Sequence, residues 1–125
     1  MTTASGRPAA ARGGALLPVI RAGYGVMLVA APGVLIRLAA GHPPGRRERR
    51  VARLLGARHL IQAAVTAFAP VPGVLAAGAG ADALHAASMI MLAAVDPGSR
   101  RAALTDAMAE SLLAAAGFSS AGMLG

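Results

Sequence analysis

Apolar positions along the chain gather into four long blocks separated by short polar or Pro/Gly-bearing breaks. None of the blocks alternates with a period of two, so the pattern predicts helices and no strands. The first block, residues 15–39, has about the length needed to cross a ~30 Å hydrocarbon core at 1.5 Å per residue, with Arg21 and Pro32 as its irregularities. The stretch AGHPPGRRERR then breaks the helix and supplies a basic loop. A second helix is expected over 49–69, a tight PVPG connection over 70–73, a third helix over 74–95, and a shorter fourth over 102–118 after DPGSRR. Residues 1–14 and 119–125 are small, polar and Gly-bearing, and are expected as tails. The predicted fold is all-α, an up-down four-helix transmembrane bundle occupying residues 15–118.

Composition strengthens the membrane expectation. The chain is 56% hydrophobic and 14% charged, against a charged share of roughly 25% in soluble domains. Aromatic residues make up 2%, which leaves Ala, Leu, Val and Gly to pack the helices closely. A soluble Ala-rich helical bundle is the alternative, and it needs polar outer faces. Residues 74–95 offer none, since only Asp82, His85 and Ser88 are polar there. A secretory signal peptide is disfavoured because the first apolar block starts late, contains Arg21 and lacks a small-x-small cleavage site. The absence of Cys removes disulfides, thiolate nucleophiles and Cys-based metal sites.

A net charge of +7 raises nucleic-acid binding as a possibility, so the placement of the arginines matters. Arg46, Arg47, Arg49, Arg50 and Arg53 crowd one segment without aromatic or polar neighbours, which points to lipid headgroups and away from nucleic acid. Cytoplasmic flanks retain positive charge. Arg37 and these five, together with Arg100 and Arg101, outnumber Arg7 and Arg12, so the expected location is the inner membrane with both termini outside.

Polar residues inside the blocks are the candidate chemistry. Arg58 and Gln62 are four apart, His59 and Gln62 three, Asp82 and His85 three, and Asp106 and Glu110 four, so each helix collects its polar groups on one face. Depths agree. Counted from the basic side at 1.5 Å per residue, Arg58 lies ~10 Å in, Glu110 ~13 Å and His85 ~15 Å, with Asp82 beyond it. An unpaired Arg at mid-bilayer costs at least ~2.5–3.5 kcal/mol, which drives Arg58 towards Asp82 or Glu110, with Arg21 as a second cation. Arg21 and Arg58 against Asp82, Asp106 and Glu110 leave one surplus carboxylate, which a histidine can balance.

Such a network can serve as internal glue, which makes the chain an accessory or interaction subunit, alone as a homo-oligomer or within a larger membrane protein. It can also serve as an oligomeric proton- or ion-coupled transporter built around Glu110 or Asp82 beside His85. A metal site from His59, Asp82, His85 and Glu110 is disfavoured by Arg58 in the same layer, so neither a metal nor another cofactor is expected. No enzyme signature is present: GAGAD (78–82) lacks the preceding strand and the final Gly-Lys of a nucleotide loop, and suits close helix packing better. Met89 and Met91 are two apart and face different ways, as lipid-facing filler does.

RAGYG (21–25), AAPG (30–33), LLGARHL (54–60) and GADALHA (80–86) together resemble a family of small bacterial four-helix membrane proteins of unknown function. The resemblance extends over 15–118. It implies the same topology and marks Arg21, Gly25, Pro32, Gly56, Arg58 and Asp82; His59 stands where the family's commoner residue after the Arg is acidic.

Overall fold

The computed structural model describes residues 9–125, with side-chain surroundings from Leu16 onward. These residues form five helices: α1 (Ala9–Ala30), α2 (Pro32–Ala40), α3 (Arg46–Phe68), α4 (Pro72–Val95) and α5 (Arg100–Leu124). The all-α expectation holds, but the block expected as one helix over 15–39 is two helices bent by 97°. Pro32 is the cause: its ring has no N–H, collides with the carbonyl four residues back, and disfavours helical geometry at the residue before it. Ala31 accordingly sits at φ −132°, ψ 48°. Pro32 then opens α2, at a position where a missing N–H costs nothing. The short helix stops at Gly41, whose φ of 80° is the left-handed geometry glycine adopts without strain, and whose N–H donates to Arg37 O at 2.8 Å.

Three other boundaries move. The basic segment expected as a loop is largely helical, because α3 begins at Arg46 and the Glu48 carboxylate accepts a hydrogen bond from Gly45 N–H at 2.7 Å. Of the expected N-terminal tail, residues 1–8 lie outside the described residues, and 9–14 belong to α1. The expected C-terminal tail over 119–125 is helical as far as Leu124, with Ser120 buried and Gly117 seated on α4.

The four long helices run up and down as two tight antiparallel pairs. α1 meets α3 at Gly25 and Gly56, where a Cβ on Gly56 would stand 2.7 Å from Gly25 O and 2.8 Å from Leu28 Cβ. Absence of side chains lets the two backbones touch. α4 meets α5 at Ala79 and Gly117, where an added Cβ on Gly117 would stand 2.8 Å from Ala79 Cβ. The two pairs join through Leu17, Leu75 and Leu113, with Tyr24 and Ala121 packed against them. Shallow clefts flank this seam, one of about 270 Å³ between α3 and α4 and one of about 360 Å³ between α1 and α5.

α4 and α5 are each long and apolar enough to cross a membrane, and α1 with α2 qualifies only as a bent pair. α3, with its exposed arginines, does not meet that measure, although large apolar side chains are exposed on all four long helices: Val19 and Ile20 of α1, Leu54 and Ile61 of α3, Leu84 and Met91 of α4, and Met108 and Leu112 of α5 are all more than half exposed.

Candidate functional site

The largest fully buried side chains are Arg21, His59, Glu110 and Asp82. They lie in one layer across the bundle. Asp82, on α4, receives a forked pair of bonds from Arg21 of α1, Nη1 to Oδ1 at 3.0 Å and Nη2 to Oδ2 at 2.6 Å. This is the geometry in which guanidinium and carboxylate fit best. Arg58 of α3 adds a third bond through Nη2 to Asp82 Oδ1 at 2.6 Å, and reaches Glu110 Oε2 at 3.3 Å. Gln62 completes the shell by accepting from Arg21 Nη1 at 3.0 Å and donating through Nε2 to Gly78 O at 3.4 Å.

Glu110 of α5 meets His59 of α3, Nε2 to Oε1 at 2.7 Å. His59 Nδ1 is buried without a partner, as is Arg21 Nε. An orphaned buried N–H is expensive, so the network assigns the His59 proton to Nε2, where it is donated to Glu110. Towards the edge of the layer, His85 Nε2 lies 2.8 Å from Asp106 Oδ2, and Tyr24 OH donates to Asp106 Oδ1 at 3.2 Å. The Tyr24 ring also lies against His59, with centroids 5.1 Å apart.

All eight polar residues expected to converge do so, but the weights differ from the expectation. Arg21, anticipated as a secondary cation, is the buried one at 2% exposure, whereas Arg58 retains 28%. Arg58 sits nearer the rim, bonded to both Asp82 and Glu110. Asp82 and His85 share a helix face but serve different partners, the first the arginines and the second Asp106. Tyr24 escaped sequence reasoning. Its signal was present: it is the only Tyr and stands three residues beyond Arg21, on the same helical face.

Among the described residues, His85, Asp106 and Glu110 are the group whose donor atoms could hold a metal ion, all lying within 4.8 Å of one another. Their oxygens are occupied by the chain's own donors: Asp106 by Tyr24 and His85, Glu110 by His59 and Arg58. The basic residues Arg46, Arg47, Arg49, Arg50 and Arg53 lie apart from this layer, exposed on the first two turns of α3.

Fold and site together define a helical bundle with a buried ion-pair layer, large apolar side chains exposed on its long helices and a basic patch at one end. No protein-family model matches the chain, and neither a curated protein nor a solved structure is significantly similar to it.

Proposed function

We propose that the chain is a small multi-pass protein of the bacterial inner membrane, with α1, α3, α4 and α5 as its spans and both termini outside. It acts as an accessory or interaction subunit, and its polar layer is internal glue. The observation that carries this reading is the inversion of the usual distribution: the fully buried large side chains are ionisable, while Leu, Ile, Met and Val cover the outside. In water, apolar side chains of this size are the ones that go inside. In lipid the outer face is free to be apolar, and ionisable groups must turn inward and pair. The same reading is in keeping with the resemblance of its RAGYG and LLGARHL segments to a family of small four-helix membrane proteins.

Fractionation tests it directly. The expressed protein should stay with membranes through an alkaline wash and leave them only with detergent; recovery in the aqueous supernatant refutes the reading. The chain has no Cys, so single cysteines can report sidedness. One at Arg47 should label only from the cytoplasmic face, and one at Gly122 only from the other.

A second reading, an oligomeric proton- or ion-coupled transporter, is favoured by the excess of three carboxylates over two arginines in the layer and by the partial exposure of His85 and Asp106. Liposomes containing the protein should then conduct protons or ions, and Glu110→Gln should abolish that flux in a protein that still folds, as judged by its circular dichroism.

A further inference from the structure

We propose that the end of the bundle where α2 lies beside the N-termini of α3 and α5 is a docking surface for the phosphodiester headgroups of anionic phospholipids. The inference rests on the membrane reading and goes beyond it by naming the lipid.

Charge is the first ground. Arg46, Arg47, Arg49, Arg50 and Arg53 are exposed, and the ion pairs among the described residues involve none of them. Residues 1–15 contain no carboxylate that could serve them. Glu48, the one acid in the segment, is turned back to Gly45 N–H at 2.7 Å and lies 3.9 Å from His42. The patch is therefore left with uncompensated guanidinium groups.

Helix polarity is the second. The N-terminus of a helix carries partial positive charge and favours acidic side chains in its first turn. α5 opens instead on Arg100 and Arg101 with no acid in its first turn, and α3 opens on Arg46 and Arg47 with Glu48 as its single first-turn acid. Bringing cations to two positive helix ends is unfavourable in isolation, and an anion seated there relieves both repulsions. Guanidinium forks match two phosphate oxygens at once.

Geometry is the third, and it selects lipid over other phosphates. α2 is turned 97° from α1, so when α1 crosses the bilayer α2 lies along its surface. Val34 and Leu38, four apart on one side of α2, are 50% and 70% exposed, as the apolar side of an interfacial helix is. Arg101 ties this helix to α5, with its Nη2 3.5 Å from Leu38 O. Below the arginines, Val51 and Leu54 are also exposed, so apolar contact for acyl chains adjoins the cationic patch. Tyr24, Phe68 and Phe118 all lie outside the basic segment, which leaves no ring in it on which a nucleic-acid base would stack.

The test uses the full chain purified in a neutral detergent. Thermal melts are followed while phosphatidylglycerol, phosphatidylcholine, inorganic phosphate or duplex DNA is titrated in, for wild type and for Arg46→Gln/Arg47→Gln/Arg50→Gln. Phosphatidylglycerol should raise the wild-type Tm where phosphatidylcholine does not, and its apparent affinity should fall roughly fivefold per arginine removed. Circular dichroism of the triple variant should match wild type, because all three side chains are exposed. Equal stabilisation by phosphatidylcholine, or an unchanged response in the triple variant, overturns the proposal. Inorganic phosphate or DNA matching phosphatidylglycerol overturns it in favour of a free-anion or nucleic-acid site. A protein that stays folded and dispersed with no detergent fails the membrane reading instead, before any lipid is added.

Discussion

Replacing Asp82 with Ala removes the acceptor on which both arginines converge. Arg21 loses bonds of 3.0 and 2.6 Å and is left 2% exposed with only Gln62 at 3.0 Å. Arg58 loses its 2.6 Å bond but keeps Glu110 and, at 28% exposure, has room to swing outward. Most of the penalty therefore comes from Arg21. Breaking a buried ion pair by removing one partner costs about 3–5 kcal/mol, whereas exchanging both partners for apolar groups is often close to neutral. The expected order of stability is wild type, then Arg21→Met/Asp82→Ala close behind, with Asp82→Ala and Arg58→Ala/Asp82→Ala both about 3–5 kcal/mol down because each leaves Arg21 stranded. Equilibrium unfolding in mixed micelles, followed by circular dichroism, measures these proteins and the Arg21→Met single variant. The reasoning fails if the Arg21 double variant loses as much as its two single variants summed. It also fails if Arg58→Ala rescues Asp82→Ala better than Arg21→Met does, since Arg58 would then be the stranded cation.

Glycine substitutions separate contact from propensity. Gly56→Ala puts a Cβ 2.7 Å from Gly25 O and should cost about 1–3 kcal/mol in the same unfolding assay. Gly80→Ala meets nothing within 4 Å and should be neutral or gain up to about 1 kcal/mol from helix propensity. Pro32→Ala restores an N–H at the bend, and spin labels at positions 20 and 38 should move apart as α1 and α2 straighten; an unchanged distance would mean that packing of α2 on α5 sets the angle. Asp96 responds to acid: the Ser99 hydroxyl at 2.6 Å and Gly98 N–H at 3.0 Å hold its carboxyl below the usual Asp range. Its contribution to the α4–α5 turn is thus present above the ordinary Asp pKa and lost as pH falls through the lowered one, so Gly98 amide exchange should accelerate only there and Asp96→Asn should erase the step.

The convergence of the polar residues was legible because it follows from two regularities. Side chains three and four apart share a helix face, and antiparallel helices of known rise bring Arg58, Asp82, His85 and Glu110 to one depth. The partners of Arg58 were legible, since it bonds Asp82 and Glu110 as expected, but that Arg21 takes the buried fork on Asp82 was not. The outcome depends on how closely α1 approaches α3, which Gly25 and Gly56 set and which no periodicity encodes. The glycines of GAGAD suggested close packing, yet Gly80 faces open space and Ala79 between them takes the contact with Gly117. Pro32 was visible as an irregularity, but a proline can kink a span or end it. The short apolar run beyond it, closed by Gly41, decided for a separate helix.

Sorting the layer by helix pair shows why it specifies one assembly. The α1–α3 pair contributes Arg21, Arg58, His59, Gln62 and Tyr24, while α4–α5 contributes Asp82, Asp106 and Glu110 with His85. Every arginine–carboxylate and histidine–carboxylate contact of the layer except His85–Asp106 crosses between the two pairs. In a bilayer each pair by itself would carry same-sign charge without compensation, and only their union brings the layer near neutrality. Apolar contact across the seam, carried by Leu17, Leu75 and Leu113, is non-directional and penalises a slide of one helical turn, about 5.4 Å, less sharply than a charged layer does. The same slide would move Arg21 from Asp82 to Gly78 or Ala86 and strand a cation in the interior. Under the membrane reading, the charged layer thus contributes register more than strength, a use of buried ion pairs that compensates for their modest net stabilisation.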